Sequence, residues 1–275
     1  MTDNIKTMKL YHQVDRVFNE LHALGIEEHE PVEVGTLSAF DQYHYLGTDA
    51  VDEAIARLKI NPSMRVLEVG SGIGGPSRYL AHASGCHMTA LELQPDLNAT
   101  AAELTQRCQL QGRVTHLCGN ILDGPPGNQQ YDALVSWLTF LHIPQRQDLY
   151  RHCYDSLMPG AGIYVEDYVQ RGKLSEQERE ALSRDVYCDY VPDMDEYQDE
   201  LEQAGFENIE LHDMSEVWTQ FVVERQNEFE HAREHNESLH GAELVEGLSG
   251  FYSTIVNLFQ AGNLGGICFV ARKPG

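Results

Sequence analysis

The sequence has few lysines and a general shortage of positive charge. Its 275 residues contain 43 aspartates and glutamates but only 19 lysines and arginines, and the formal net charge is −24. A strongly negative surface repels nucleic-acid backbones and anionic lipid headgroups. We therefore predict a small-molecule partner rather than a nucleic acid or a membrane, and a cationic or zwitterionic molecule suits this charge.

The sequence also lacks the cysteine spacings of metal sites and disulfide frameworks and the apolar runs of export signals. The six cysteines form no C-x-x-C pair and no zinc-type spacing, and most lie in apolar runs typical of reduced core thiols. No run of 18 apolar residues occurs, and the first residues lack the hydrophobic segment of a signal peptide. We expect a cytoplasmic protein that needs no metal ion and is either a monomer or a homodimer.

Strands and helices alternate from Arg65 to Val169. The predicted strands are RVLEVG, HMTALEL, VTHLCGN, YDALVSW and IYVEDYV, with a PGAG turn before the last of them. This alternation predicts a parallel sheet with helices on both faces. Two charged helices, a strand (NIELHDMS), a helical stretch over about 216–260 and a closing strand (GGICFVARK) follow. The last two strands suit an antiparallel hairpin at the sheet edge.

The stretch VLEVGSGIGG fits two cofactor patterns at once. Gly70, Gly72 and Gly75 satisfy the G-x-G-x-x-G of dinucleotide enzymes. Glu68, Gly70, Gly72 and Gly74 satisfy the E-x-G-x-G typical of enzymes that use S-adenosylmethionine (SAM). Both patterns need glycine because the backbone must approach the ligand closely. A tight turn without any ligand is the third interpretation.

Residues at the ends of the strands distinguish these interpretations. Glu92 ends the second strand and could bond the ribose hydroxyls of either cofactor. Glu68 favours SAM, because dinucleotide sites usually carry an apolar residue at that position. Asn120 ends the third strand, and its amide can accept a hydrogen bond from an adenine amino group. The stretch SWLTFLHIP follows the fourth strand at the carboxyl edge, where ligands of open α/β sheets bind.

In this order, VLEVGSGIGG, LEL, CGN, YDALVSWLTFLHIP and LMPGAGIYVED resemble the class I SAM-dependent methyltransferases over residues 65–167. The resemblance implies SAM as cofactor and a Rossmann-like, mostly parallel seven-stranded sheet whose seventh strand is antiparallel. The cofactor contacts that we expect are Tyr45, Leu46, Glu68, Gly70, Ser71, Gly72, Gly74, Glu92, Leu93, Asn120, Ile121 and Trp137.

The segments around this core predict a lid and a cap. A helix over about 7–25 has apolar residues at helical spacing, namely Leu10, Val14, Val17, Phe18 and Leu21. The aromatic patch AFDQYHYLG and a second helix follow. We expect residues 1–60 to form a helical lid over a domain at 61–275, with substrate-cap insertions at about 169–200 and 216–262.

The remainder of the chain resembles the sarcosine/dimethylglycine and phosphoethanolamine N-methyltransferases. The cues are VEDYV, DVYCDYV, the stretch EYQDELEQAGFENIELHDMSEVW and the long final helices. The resemblance implies that His142 faces the methyl acceptor and that Tyr168 and Tyr187 line its pocket, and these three are the predicted catalytic residues. A capping or core role for His142, and an ordinary aromatic helix face for Tyr187 and Tyr190, are the structural alternatives.

Two residues depart from the pattern of the phosphoethanolamine N-methyltransferases. Those enzymes carry basic residues before the tyrosine equivalent to Tyr187, whereas this chain has Asp185 and Val186. The nearby cations are Arg171, Lys173 and Arg184. We therefore expect N-methylation of a small amine without phosphate, with sarcosine or dimethylglycine, giving a betaine, as the leading candidates. The alternatives are an O- or C-methyltransferase acting on a larger hydrophobic molecule, an NAD-dependent oxidoreductase, and an inactive SAM-binding subunit.

Overall fold

A seven-stranded sheet forms the centre of the computed structural model, which describes residues 14–275. Its strands are β1 (Arg65–Val69), β2 (His87–Glu92), β3 (Val114–Cys118), β4 (Tyr131–Trp137), β5 (Leu157–Gln170), β6 (Glu207–Asp213) and β7 (Leu264–Arg272). Their order is β3-β2-β1-β4-β5-β7-β6. The first five strands run parallel, and β7 pairs antiparallel with both β5 and β6. The predicted fold class and edge hairpin are therefore confirmed.

Eleven α-helices surround this sheet in the described part of the chain. They are α1 (Asp15–Ala23), α2 (Val34–Ser38), α3 (Gly47–Leu58), α4 (Gly75–Ser84), α5 (Pro95–Arg107), α6 (Arg146–Ser156), α7 (Glu176–Ala181), α8 (Met194–Gln203), α9 (Ser215–His231), α10 (Arg233–His240) and α11 (Ala242–Gln260). Capping boxes begin α7 at Ser175 and α8 at Asp193. None of these helices is long and apolar enough to cross a bilayer.

The N-terminal helix confirms its predicted period where it is described. Val17 and Leu21 lie on one face of α1 and are buried, as an apolar helix stripe requires. Leu10, which belongs to the same predicted stripe, lies outside the described residues.

Two predicted elements differ in detail. The helical stretch over 216–260 is three helices. Ala232 separates α9 from α10, and Gly241, with a φ of +87°, turns the chain between α10 and α11. The PGAG turn lies within β5, where the pairing register moves from Leu157 to Gly162 while β4 advances only from Tyr131 to Ala133. The extra residues bulge out of the ladder, so a local turn and a continuous strand coexist there.

A mostly apolar cluster covers the carboxyl end of β5 beside α9 and α11. We call it the cap cluster, and its aromatic members are Tyr45, Tyr168, Trp218, Phe251, Tyr252 and Phe259. Leu141, which follows β4, belongs to it as well. The cluster therefore joins the N-terminal segment, the sheet edge and the late helices.

Candidate active site

A cleft of about 880 Å³, counting its open mouth, lies at the carboxyl ends of β1, β2 and β4. This is where parallel strands with crossovers in opposite directions leave a crevice. The predicted site residues that line it are Glu68, Gly70, Ser71, Gly72, Glu92, Leu93, Asn120, Ile121, Trp137 and His142. Tyr45, Leu46, Gly74, Tyr168 and Tyr187 are not among its lining residues. Lining residues that the sequence did not single out include Asp41, Tyr43, His44, Gln94 and Thr139.

The glycines of the loop after β1 serve different purposes. Gly70, Gly72 and Gly74 all have positive φ, of +78°, +52° and +78°. A side chain at Gly70 would overlap Thr139, and one at Gly74 would overlap His116 and Arg78. At Gly72, by contrast, a Cβ added to the backbone would have no atom of the described residues within 4 Å. The backbone of Gly72 is thus the part of the loop open to a ligand.

Gly75 explains why the loop also matched the dinucleotide pattern. A side chain at this position would overlap the main-chain carbonyl of Asp41. The Asp41 carboxylate in turn accepts a hydrogen bond from Arg78 Nη2 at 2.9 Å, and both side chains are buried. Gly75 therefore lets the N-terminal segment pack on the start of α4, which is a role distinct from binding a cofactor.

Glu68 lies on the floor of the cleft. Its carboxyl group accepts a hydrogen bond from the Ser77 hydroxyl. Burial raises its pKa to about 8, and the Ser77 hydrogen bond and the Arg78 charge oppose that rise. A cationic ligand group near this carboxyl would favour its ionised form.

Substituting Glu68 by glutamine is expected to change the pH dependence of stability. A carboxyl whose folded-state pKa is raised contributes stability that is lost as pH rises from its unfolded value through about 8. One such group contributes a slope of up to about 1.4 kcal/mol per pH unit. Urea unfolding at pH 6 and pH 8 should therefore show a smaller loss for Glu68→Gln than for the native chain. Glu103→Gln, at an exposed position on α5, is the matched control, and an unchanged slope in Glu68→Gln would contradict the raised pKa.

Glu92 ties the end of β2 to the glycine loop. One carboxylate oxygen accepts from the Gly72 N–H and the other from the Gln94 N–H, both at 2.9 Å. Burial raises its pKa to about 7. Each oxygen keeps a second lone pair that can accept from a ligand hydroxyl.

Asn120 caps the short 3₁₀ turn Ile121–Asp123. Its side-chain oxygen accepts from the Leu122 N–H at 3.0 Å. The turn is thereby held with Asn120 and Ile121 facing the cleft, and the amide oxygen retains one lone pair for a ligand amino group.

The aromatic patch places Tyr43 and His44 at the cleft. His44 lies 5.5 Å from Trp137, measured between ring centroids, and its Nε2 contacts the Gly47 carbonyl at 2.9 Å. Tyr45 instead enters the cap cluster, where its hydroxyl lies 2.7 Å from that of Tyr168. Tyr43 and His44 therefore cover the cleft, whereas the predicted contacts Tyr45 and Leu46 do not line it.

His142 ends a 3₁₀ turn, Phe140–His142, at the edge of the cleft. Its Nδ1 lies 3.2 Å from the main-chain carbonyl of Tyr187. A carbonyl only accepts, so Nδ1 carries the proton and Nε2 carries the lone pair. Burial lowers the pKa of His142 to about 4, which makes the ring neutral at physiological pH. The structure thus brings His142 and Tyr187 together, whereas Tyr168 pairs with Tyr45.

A buried ionic network that the sequence did not reveal holds this turn. Asp167 accepts hydrogen bonds from the Leu141 N–H at 3.2 Å and from the Tyr197 hydroxyl at 3.0 Å. Arg146 donates to the Phe140 carbonyl at 3.1 Å and lies 3.8 Å from the Asp167 carboxylate. The network fixes the carbonyl and the N–H of the Phe140–Leu141 peptide, within the turn that ends at His142. The only signal for it in the sequence was the acid pair in VEDYV.

Comparison with known proteins adds to this geometry. Residues 66–160 match the methyltransferase domain family. The matched range runs from β1 into β5 and contains the glycine loop, Glu92, Asn120 and His142. The resemblance predicted from the strand ends is confirmed.

Relatives extend the likeness beyond the methyltransferase domain. The chain is 28% identical over 166 residues to a glycine/sarcosine/dimethylglycine N-methyltransferase of Actinopolyspora halophila. The aligned residues make up 60% of this chain and 29% of that protein. The chain spans about a third of the length of this and two other curated relatives, a phosphoethanolamine N-methyltransferase 1 of Zea mays and a sterol methyltransferase-like protein of Botryococcus braunii.

Solved structures share the fold of the whole described chain. A phosphoethanolamine N-methyltransferase 2 from Haemonchus contortus, in complex with SAM, aligns with a TM-score of 0.79 at 21% identity, over 97% of this chain and 60% of that one. A cyclopropane synthase from Mycobacterium tuberculosis aligns with a TM-score of 0.77 at 13% identity, over 99% of both chains.

Proposed function

We propose that this protein is a SAM-dependent methyltransferase that methylates a small-molecule amine. The observation that carries the proposal is the open backbone of Gly72, bonded to Glu92, in the same cleft as His142. A glycine loop tied to an acidic residue at the end of β2 fits a ribose-containing cofactor. Bound SAM supplies an electrophilic methyl group.

The cleft residues can be assigned to parts of this cofactor. Glu92 would accept from the ribose hydroxyls and Asn120 from the adenine amino group. Glu68, on the floor of the cleft, would face the methionine ammonium. Tyr43 and His44 would cover the cofactor, and this arrangement would exclude water from the reacting groups.

Changing Glu92 to alanine is expected to weaken SAM binding by about 1.5–3 kcal/mol, the scale of hydrogen bonds to a charged group. Because the pKa of Glu92 is about 7, the native affinity should also fall as pH is lowered from 8 to 6. Calorimetric titration measures both effects, with Glu103→Gln as control. An unchanged affinity in Glu92→Ala would remove Glu92 from the site.

The lowered pKa of His142 favours a role in positioning the amine over a role as the base that removes its proton. An alkylammonium has a pKa near that of lysine, roughly six units above that of His142, so direct transfer would be uphill by about 8 kcal/mol. His142 Nε2 would instead accept a hydrogen bond from the N–H of a primary or secondary amine, such as sarcosine, that arrives neutral. Desolvation in the cleft favours that neutral form, and Nε2 would orient the amine lone pair for an in-line displacement.

The lid and the cap belong to the proposal too. The His240 ring of α10 lies 2.9 Å from the Glu20 carboxylate of α1, so the N-terminal region and the late helices meet. Both regions also contribute side chains to the cap cluster. This supports the described part of the predicted lid, residues 14–60, and residues 169–200 and 216–262 as the walls of the acceptor pocket.

The apolar cap cluster also favours a second candidate, an O- or C-methyltransferase acting on a larger hydrophobic molecule. Assays with labelled SAM over small amines, phenols and sterols separate the two. Transfer to small amines alone would support the proposal, and transfer to sterols alone would replace it. A thermal shift with NAD but not with SAM would overturn both. A cytoplasmic location and a monomeric or dimeric state remain predictions.

A further inference from the structure

Arg225 on α9 presents buried hydrogen-bond donors that have no acceptor. Its Nε and Nη2 are shielded from solvent and have no hydrogen-bond partner within the described range 14–275. The guanidinium carbon lies 4.9 Å from the centroid of the Tyr45 ring, 4.6 Å from that of Tyr252 and 5.6 Å from that of Phe221. The rings stabilise the charge, but unpaired buried donors cost free energy and call for an explanation.

Two of the three cations suggested by the sequence are engaged elsewhere. Arg184 forms a bidentate contact with Asp185, at 2.7 and 2.8 Å, on the exposed side of its turn. Arg171 lies 3.6 Å from Asp213, and both side chains are about half exposed. Neither guanidinium is held among the aromatic rings of the cap cluster as Arg225 is.

Arg225 is also close to the predicted acceptor region. The Tyr45 ring that it covers is hydrogen-bonded through its hydroxyl to Tyr168 at 2.7 Å. Tyr168 packs in the same cluster as Leu141, the neighbour of His142. The N–H groups of Leu141 and Tyr168 donate to the same Asp167 oxygen, at 3.2 and 2.9 Å, so the tyrosine that contacts Tyr45 lies beside the turn that would orient the amine.

We propose that Arg225 binds a carboxylate of the methyl acceptor, which makes the substrate class an amino acid or an N-methylated amino acid. This inference rests on the proposed function. A guanidinium donates two parallel hydrogen bonds to a carboxylate and balances its single charge. A phosphate dianion fits less well, because a single guanidinium leaves one of its two negative charges unbalanced.

Binding measurements test the anchor without requiring turnover. Dimethylglycine and N,N-dimethylethanolamine, which has a hydroxyl in place of the carboxylate, are titrated by calorimetry into the full chain saturated with S-adenosylhomocysteine. Arg225→Gln should weaken dimethylglycine binding about 10- to 150-fold, as expected for lost hydrogen bonds to a charged group. The affinity for N,N-dimethylethanolamine should change less than about threefold, because it has no charged group at that end.

Two further variants control for folding and for position. Arg225→Lys keeps the charge but loses the fork, so its loss should be intermediate. Arg171→Gln removes a surface cation and should bind dimethylglycine like the native chain. An equal loss for both ligands in Arg225→Gln, a loss in Arg171→Gln, or tighter binding of phosphoethanolamine than of dimethylglycine would overturn the carboxylate anchor.

Methyl transfer is then scored separately. Binding of dimethylglycine through Arg225 without transfer to any amine would leave the anchor standing and refute the proposed function. Transfer to amines with and without a carboxylate, at the same kcat/KM in Arg225→Gln as in the native chain, would support the proposed function and refute the carboxylate anchor.

Discussion

Gly72→Val is expected to abolish measurable SAM binding while the protein stays folded. The valine side chain would enter the space beside Gly72 that the described residues leave open, which is where we place the cofactor. A loss of 100-fold or more, about 2.7 kcal/mol, is the expected scale. Equilibrium dialysis with labelled SAM measures the loss, and circular dichroism reports the fold.

Backbone strain needs its own control, because Gly72 has a φ of +52°. A side chain in that conformation costs about 1–2 kcal/mol of stability wherever it occurs. Gly262, between α11 and β7, has a φ of +80°, and a Cβ added there would likewise have no described atom within 4 Å. Gly262→Val should therefore share the strain and keep SAM affinity. Normal binding by a folded Gly72→Val would show that the loop does not hold the cofactor.

His142→Ala is expected to lower kcat about 10²-fold, at the low end of the range for acid–base groups, while SAM affinity stays nearly intact. The reason is the loss of the acceptor nitrogen that would orient the amine. The rate should rise with pH as the free amine becomes abundant, and that rise should persist in His142→Ala. Steady-state kinetics from pH 6 to 10 on the best amine of the panel measures both.

His142→Asn separates positioning from proton transfer. An amide oxygen can accept a hydrogen bond from the amine but cannot take its proton at these pH values. Partial recovery relative to alanine would support positioning. Equal rates for asparagine and alanine, with loss of the low-pH limb of the profile, would show that His142 acts as the base. A native rate in His142→Ala would leave the residue with a structural role only.

The placement of the strand-end residues could be predicted from the sequence because it needs only local order. In a parallel sheet all carboxyl ends meet at one edge, so Glu68, Glu92 and Asn120 converge once the strands are recognised. The structure places all three in the cleft. The loop glycines were harder to separate, since Gly74 and Gly75 serve packing against Arg78 and Asp41 rather than open space.

The lid and the acceptor side could not be predicted to the same depth. The sequence alone does not distinguish which of the neighbouring aromatic residues in QYHYLG lines the cleft. Packing in the folded chain places His44 at the cleft and Tyr45 in the cap cluster. Tyr45 meets Tyr168 across 123 positions of sequence. Arg225 meets Tyr45 from a helix inserted still later. Such contacts follow from the tertiary fold, and no local period or spacing encodes them.

The cap helices are inserted between two strands that are direct neighbours. Asp213 at the end of β6 is paired with Ile267 near the start of β7, so the ends of the whole insertion are held side by side. Gly265 and Gly266 let the first turn of α9 rest on β7, because side chains there would overlap Ser215 and Trp218. We therefore expect that exchanging the segment beyond Trp218 for another of different length would change which acceptor is admitted, without altering the strand register on the proposed cofactor side.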